Sequence, residues 1–366
     1  MKDLLDCVVL IPSLHPDELL PKYVEELNQA GFMRVLVVDD GSGEDEQYQS
    51  IFRELNEREG CRVIGYPENH GKGYALKHGI NYIKSRWPDA PGIVTADSDG
   101  QHTAPDVEKV AKKMLEKPDA LIIGSRDFKA AGVPAKSLIG NRLTSFFFLL
   151  LYGRRLPDTQ TGLRGLPNKL WDMLLEISGE RFEYELNVLI NCANQKVPFE
   201  TVPIQTIYLE DNRRSHFRAV QDSLLIYGQL FGNFFKYALS SILSFLIDWG
   251  VFTLFDKVLA VKLFGGLFTV TVGRKIAIST VIARIVSALF NFTVNKNVVF
   301  TNDAQKKGAG IRYIVVAAFV LLSSFGGTWL LHSLLKIDEV IIKPIVDTVL
   351  YFVTYRLQKS WVFPTH

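Results

Sequence analysis

Residues 234–366 hold only 20 of the chain's 80 charged side chains, and the apolar stretches between those charges recur at the length a bilayer selects. A helix needs about 20 mostly apolar residues to cross about 30 Å of hydrocarbon. Four stretches qualify: Phe235–Phe255, Ile276–Asn297, Ile311–Leu335 and Val340–Leu357. Residues 1–233 carry the other 60 charges and read as a water-facing unit. The sequence therefore predicts a soluble domain over 1–220, a juxtamembrane linker over 221–233 and an all-α, four-helix membrane domain over 234–366. The near-neutral total hides a split in sign: 27 Lys/Arg against 33 Asp/Glu in front, 14 against 6 behind. A basic membrane segment suits an anionic leaflet. No nucleic-acid partner is expected. Met1-Lys2-Asp3 leads straight into a strand-like run, so no signal peptide is expected either. Cys7, Cys61 and Cys192 are widely spaced and odd in number, which fits reduced thiols.

The front alternates short apolar runs with helical patterns. Strands are predicted at Cys7–Ile11, Arg34–Val38, Arg62–Gly65, Gly92–Ala96 and Ala120–Gly124. Helices are predicted at Pro16–Gly31, Gln47–Glu59, Gly73–Arg86 and Ala104–Glu116. That order predicts an α/β fold with a mostly parallel sheet, which binds ligands at the carboxyl ends of its strands.

The polar signals fall at those ends. Val38-Asp39-Asp40-Gly41-Ser42 follows the second strand, and Asp97-Ser98-Asp99-Gly100-Gln101-His102 follows the fourth. Either turn alone is equally an ordinary strand exit, since Asp and Gly favour tight turns. Together they suggest more. Two carboxylates one residue apart can face one hard divalent cation, and such a cation neutralises a departing diphosphate. A calcium-loop reading is weaker, because the third acidic position and the distal Glu of an EF-hand are missing. Between the turns lies Asn69-His70-Gly71-Lys72-Gly73, where glycines bring backbone near a ligand and Lys72 offsets phosphate charge. It lacks the spacing and terminal Ser/Thr of a Walker loop.

In order, Ile11-Pro12, Val38-Asp39-Asp40-Gly41-Ser42, Gly71-Lys72-Gly73, Asp97-Ser98-Asp99-Gly100-Gln101-His102 and Gly124-Ser125-Arg126 resemble glycosyltransferase family 2, in its dolichyl-phosphate-mannose-synthase-like branch. Asp158-Thr159-Gln160-Thr161-Gly162-Leu163-Arg164 and Arg213-Arg214-Ser215 extend the likeness. The resemblance implies a GT-A type, Rossmann-like nucleotide-sugar domain. It implies Pro12, Val38, Asp40, Lys72 and Ser98 at the nucleotide, with Arg213, Arg214 and Ser215 closing over it. Asp97 and Asp99 would hold Mg²⁺ or Mn²⁺, with Gln101 nearby. Arg126, Arg142, Asp158 and Gln160 would form the acceptor-phosphate region. The branch usually has Tyr-Asn-Glu after its first proline; here Leu14-His15-Pro16-Asp17-Glu18 follows, and Glu18 is the candidate for that Glu. The implied reaction is inverting, metal-dependent transfer of a hexosyl group from a nucleotide sugar, UDP preferred and GDP open, to polyisoprenyl phosphate. A homo-oligomer is compatible with the branch. A processive polysaccharide synthase is disfavoured, because Gln-x-x-Arg-Trp is absent. A lipid-sugar flippase with a nucleotide-binding front is the non-enzymatic alternative.

Leu143–Tyr152 is apolar but too short to span, and is expected to rest at the interface or inside the domain. The tail repeats itself: Asn291–Phe300 aligns with Thr354–Phe363, and Lys236-Tyr237 with Arg312-Tyr313. This resembles the GtrA-like membrane family, which implies presentation or flipping of a lipid-linked sugar. Asp248, Arg284, Asn291 and Asp347 are costly in hydrocarbon and should face the bundle interior or water. Arg284 and Asp347 occupy equivalent positions of the two repeats, suggesting an ion pair. Nucleotide sugars are cytosolic, so the expected setting is the cell membrane, multi-pass, with the catalytic domain and the C-terminus inside.

Overall fold

A central parallel strand is buried on both faces and reads as a continuous apolar run, and β1 (Val8–Ser13) is buried along all six residues. The computed structural model describes residues 4–128, 135–205, 219–255, 272–300, 308–337 and 339–364. It divides into two units, Met1–Leu230 and Phe231–His366.

In the first unit β1 pairs in parallel with β2 (Val35–Asp39) and β4 (Gly92–Thr95), and β2 pairs with β3 (Cys61–Gly65). The seven-stranded order is β3-β2-β1-β4-β6-β5-β7. One strand, β6 (Arg164–Pro167), runs antiparallel between β4 and β5 (Leu121–Arg126), and β7 (Phe199–Ile204) lies parallel to β5. The sheet is the mostly parallel, Rossmann-like one expected. The sequence pattern gave only five strands. Arg-Gly-Leu-Pro of β6 has no β-branched residue, and β7 carries Glu200 and Pro203 at the sheet edge, so neither stands out from its surroundings.

Helices cover both faces. Leu20, Val24 and Leu27 of α1 (Leu19–Gln29) and Val107, Val110 and Ala111 of α4 (Ala104–Glu116) pack with Val9, Ile11, Val35 and Val37. On the other face Leu10 presses on α3 (Lys72–Arg86), where Gly79 leaves the room: a Cβ there would lie 2.3 Å from Leu10 Cδ1. The helix starts are encoded locally. Asp45 accepts from Gln47 N ahead of α2 (Glu46–Glu57), and Thr103 accepts from Asp106 N ahead of α4. The apolar segment at 143–152 belongs to a longer helix, α5 (Ala135–Tyr152). It turns Asn141, Thr144, Phe148 and Leu151 inward and Ile139, Leu143, Phe146 and Leu149 outward. Two further helices, α6 (Trp171–Glu176) and α7 (Glu183–Asn194), precede β7.

The second unit contains four long helical segments, Ala219–Leu254 (which enters it from the first unit), Val272–Val294, Ala309–Leu335 and Glu339–Leu357. Among the described residues, Leu230–Leu254 is the stretch long and apolar enough to cross a membrane, with mean hydropathy 1.5. The internal repeat is visible in the packing. The second and fourth helices end in matching π-turns, Asn295–Val299 and Gln358–Val362. The equivalent residues Asn295 and Gln358 bond to each other, Nδ2 donating to Oε1 at 3.0 Å. The equivalent rings of Phe300 and Phe363 stack at 5.5 Å. Asn291 faces the interior, giving Nδ2 to Ser244 Oγ and accepting from Tyr313 Oη at 2.9 Å.

One expectation fails here. Arg284 pairs with Asp248, Nε to Oδ1 at 3.6 Å, and not with Asp347. Asp248 also accepts from Ser287 Oγ. Asp248 and Arg284 stand on consecutive helices of one repeat, whereas equivalent positions of two repeats need not meet. Asp347 instead lines a cavity of about 500 Å³ with Tyr313 and Tyr351.

All three cysteines are buried. Burial pushes the Cys61 and Cys192 thiols up to about 12, leaving little thiolate at pH 8. Iodoacetamide at pH 8 should therefore spare both in the native protein and label both in urea; rapid native labelling of Cys192 would contradict this packing.

Candidate active site

The strands β1, β2 and β4 end on one edge, and their exits build a cleft of about 190 Å³. Pro12 through Asp17 supply one wall, Asp40, Asn69, Gly71 and Lys72 a second, and Asp97, Ser98 and Asp99 a third, with Arg181 and Phe182 closing the rim.

Asp40 is buried and holds the loop before α3 in place. Its Oδ1 accepts from Tyr66 Oη at 2.6 Å, His70 N at 3.1 Å and Gly71 N at 3.0 Å. Burial and this bond to a carboxylate push the Tyr66 phenol well above its usual range. The turn needs Gly41, at φ +74°, because a Cβ there would lie 2.4 Å from Asn69 N. Val38 does not line the cleft. It is fully buried in β2 against α3, because side chains alternate along a strand and Val38 points into the sheet's helix-covered face. At the first exit Asp17 lines the cleft, whereas Glu18 is exposed at the start of α1.

The acidic pair is asymmetric. Asp97 Oδ1 lies 2.6 Å from Lys72 Nζ, which also reaches Glu185 Oε2 of α7 at 3.1 Å. Desolvation alone would raise the Asp97 carboxyl, but Lys72, then His102 and Arg126, bring it down to about 2. Burial and the charge of Asp97 push the neighbouring Asp99 up to about 6. Desolvation would lower the Lys72 ammonium, yet Asp97 and Glu185 together raise it above its usual value. His102 is buried, which lowers its pKa, and its Nδ1 accepts from Asp97 N at 3.1 Å. Gln101 closes the turn through its backbone N–H, which donates to Asp99 Oδ1.

A second polar group lies between β5 and α5. Arg126 donates Nε to Asp158 Oδ2 at 2.7 Å and Nη2 to Asp158 Oδ1 at 3.1 Å. Asp158 is fully buried, so it enters the site through Arg126 rather than by touching a phosphate itself. Asn141 ties this segment to α5, donating to Pro157 O and accepting from Thr159 N. Gln160 and Arg142 are exposed beside it. Two residues beyond Gln160 the chain turns back to Asp97: a Cβ on Gly162 would lie 2.6 Å from one carboxylate oxygen and 2.7 Å from the other. Arg213, Arg214 and Ser215 lie outside the described residues.

Sequence reasoning missed Glu185, Arg181, Phe182, Tyr66 and Asn141. The signal for three of them was the Gly71-Lys72-Gly73 run, read as a ligand loop. Added Cβ atoms would strike Glu180 O at 2.7 Å from position 71 and Tyr184 Cβ at 2.5 Å from position 73. The glycines thus admit the protein's own 180–185 segment, which delivers Glu185 to Lys72.

A Rossmann-like sheet whose carboxyl edge gathers a loop-anchoring aspartate, a pair of neighbouring aspartates and a lysine defines a nucleotide-diphosphate type of site. The glycosyl transferase family 2 profile matches residues 8–169, and the GtrA/DPMS transmembrane domain profile matches residues 236–363. A UDP-N-acetylglucosamine–dolichyl-phosphate N-acetylglucosaminyltransferase of Methanococcus voltae is 30% identical over 221 residues, covering 55% of this chain and 86% of that protein. The dolichyl-phosphate beta-glucosyltransferase of Homo sapiens is 25% identical, covering 56% and 68%. The solved glucosyl-3-phosphoglycerate synthase of Mycobacterium tuberculosis superposes with TM-score 0.46 and 17% identity, over 62% of this chain and 78% of that one. The chain belongs to glycosyl transferase family 2, and its tail makes it a membrane protein.

Removing one partner of a buried ion pair strands the other, at a cost of about 3 kcal/mol. Asp158→Ala should therefore melt well below the parent, with Asp158→Asn between them. Thermal unfolding of the purified chain checks the ranking, and an unchanged melt in Asp158→Ala would contradict it.

Proposed function

We propose that this chain transfers a sugar from a nucleotide sugar, preferably a UDP-sugar, to the phosphate of a polyisoprenyl phosphate at the cytosolic membrane face. The observation that carries the reading is the pairing of Asp97 and Asp99 in one cleft with Lys72 and Asp40. The two named relatives differ in the sugar of their names and share dolichyl phosphate, which supports the acceptor class and leaves the sugar open. The outward apolar face of α5 supports an acceptor drawn from a membrane.

The donor set fits a hard cation completed by substrate. Among the described residues no three His, Cys, Asp or Glu side chains gather as a self-sufficient metal cage. Two carboxylates plus diphosphate oxygens are the usual arrangement for Mg²⁺. Asp97 and Asp99 would hold Mg²⁺ or Mn²⁺, with Gln101 nearby, and the ion would neutralise the diphosphate's charge. The remaining work falls to the chain's own residues. Pro12, Asp40 and Ser98 bind the nucleotide, and Arg213, Arg214 and Ser215 close over it. Arg126, oriented by Asp158, holds the acceptor phosphate beside Arg142 and Gln160. A phosphate monoester's second pKa is about 6, so the acceptor arrives ionised and no protein base is required. Its oxygen bonds to the anomeric carbon as the diphosphate oxygen leaves from the opposite side, which inverts the anomeric configuration. The tail anchors the chain through four spans, with the C-terminus on the cytosolic side.

Membranes containing the chain, given a panel of labelled nucleotide sugars and polyprenyl phosphate, should yield label in an organic-extractable lipid. Asp99→Ala should reduce that yield at least a hundredfold, in line with the electrostatic contributions typical of such groups, while leaving the melt unchanged. Near-normal turnover in that variant would refute the assignment. Gly162→Ala should lose transfer as well, because its methyl displaces the Asp97 carboxylate.

The pH dependence follows from Asp99. With its carboxyl raised to about 6, the group is protonated below that pH and cannot ligate, and is ionised above it. Mn²⁺ affinity followed by electron paramagnetic resonance should be flat above pH 7 and fall about tenfold per pH unit below 6. A flat profile down to pH 5 would exclude Asp99 as a ligand.

A further inference from the structure

The carboxylate of Asp97 is gripped by groups that cannot follow it and by one that can. Gly162 stands against both its oxygens, so close that a Cβ there would overlap them. Its backbone N–H is fixed on the buried His102 ring, and the preceding strand is fixed through Thr95, whose Oγ1 donates to Gly162 O at 2.7 Å. The aspartate is therefore walled on the Gly162 side and anchored through its backbone, with its other side toward the cleft. Lys72 is different: its ammonium rides on a flexible four-carbon stem and already touches a second carboxylate, Glu185 Oε2, at 3.1 Å. Glu185 is a buried-side acid on α7, its side chain 13% exposed, and among the described residues Lys72 is its ion-pair partner. Asp99, two residues beyond Asp97, has no described ion pair comparable to that of Asp97.

We propose that Lys72 is a resident counter-cation on Asp97 that yields to an arriving divalent cation, and that Glu185 is the seat that receives its ammonium. Glu185 is thus a positioning residue acting through Lys72. The inference rests on the metal-assisted reading above and adds an exchange within the protein. Two cations cannot share Asp97 Oδ1 at close range, because their repulsion in a desolvated site is large. With Asp97 anchored through its backbone and walled on one side, the longer and more flexible lysine is the part that moves. With Glu185 present the displaced ammonium stays paired; without it, leaving Asp97 means leaving its last partner, and the site competent for metal becomes scarcer. Apparent metal affinity falls by that loss of competent fraction.

A double-mutant cycle on the full chain in detergent, read by Mn²⁺ binding in electron paramagnetic resonance without nucleotide, separates this exchange from a general effect of charge. Glu185→Gln should weaken Mn²⁺ binding about tenfold in the parent, a coupling of ordinary size for paired groups. In the Lys72→Met background the same change should cost less than about twofold, because no ammonium remains to be seated. Equal weakening in both backgrounds would show Glu185 acting only as one more negative charge, overturning the exchange while leaving the metal site standing. No weakening in either background overturns it too. If neither the parent nor any variant binds Mn²⁺, the metal reading fails and takes the exchange with it. Should Glu185→Gln not fold, Lys72→Met alone decides: it must bind Mn²⁺ about tenfold more tightly than the parent, and unchanged affinity overturns the proposal.

Discussion

The position of one carboxylate, that of Asp97, depends on segments scattered across 115 residues of chain. The end of β4 presents it, His102 fixes its backbone, Lys72 from the start of α3 neutralises it, and Gly162 walls it in. Glu185, from α7, then balances the lysine. An isolated charge in such surroundings would be expensive, and each of these contacts offsets part of that cost. The parallel sheet makes the convergence possible, because β1, β2 and β4 all end on the same edge and deliver their loops to one place. Glycines 41, 71, 73 and 162 then let those loops touch at distances that no side chain would permit.

The same constraint explains why the two acids of the pair differ. Asp97 is ionised by its lysine, and that charge is what raises Asp99. Two like charges one residue apart in a desolvated turn cannot both be stabilised by one ammonium. The turn therefore holds one firmly ionised carboxylate and one that ionises only near neutral pH. A polar centre of this kind favours an incoming dication, since it satisfies both carboxylates at once. Arg126 stands apart from the pair, committed to Asp158 through two hydrogen bonds, and so keeps its orientation whatever occupies the cleft. In the proposed reaction the division of labour would be between this acidic side, toward a metal, and the basic side of Arg126, toward phosphate.

Much of this was legible in the sequence, for identifiable reasons. Buried parallel strands such as β1 and β2 are apolar without interruption, and polar turns at their ends announce themselves. Asp40, Asp97, Asp99 and Arg126 could be singled out because each lies at or within a few residues of a strand end. Glu185 and Asn141 were not, because each is an ordinary helical residue whose role exists only after helices dock. Val38 was carried over from the family resemblance, which does not say which face of the sheet its side chain takes, and here it is fully buried. The glycine run around Lys72 marks a close approach of the protein's own 180–185 segment as well as a wall of the cleft.

In the membrane unit, sequence symmetry was read correctly as a duplication and wrongly as a pairing rule. Equivalent residues meet where they lie near the relation between the two halves, as Asn295 with Gln358 and Phe300 with Phe363 do. Away from it, a residue pairs with its own hairpin, as Arg284 does with Asp248. The halves are therefore not equal in content. The first spends its acid on an internal ion pair, while the second directs Asp347 toward a cavity also lined by Tyr313, Tyr351 and Gln358. Duplication supplied two copies of a scaffold whose shared contacts are amide and aromatic, and the cavity that Asp347 lines is walled by both copies, with Tyr237 and Asn291 from the first. A polar network buried in an apolar unit holds only if its members satisfy one another, and here Asn291, Asn295, Gln358, Tyr237 and Tyr313 do so across both halves. That mutual satisfaction fixes the register of the repeats without requiring any charge at their junction.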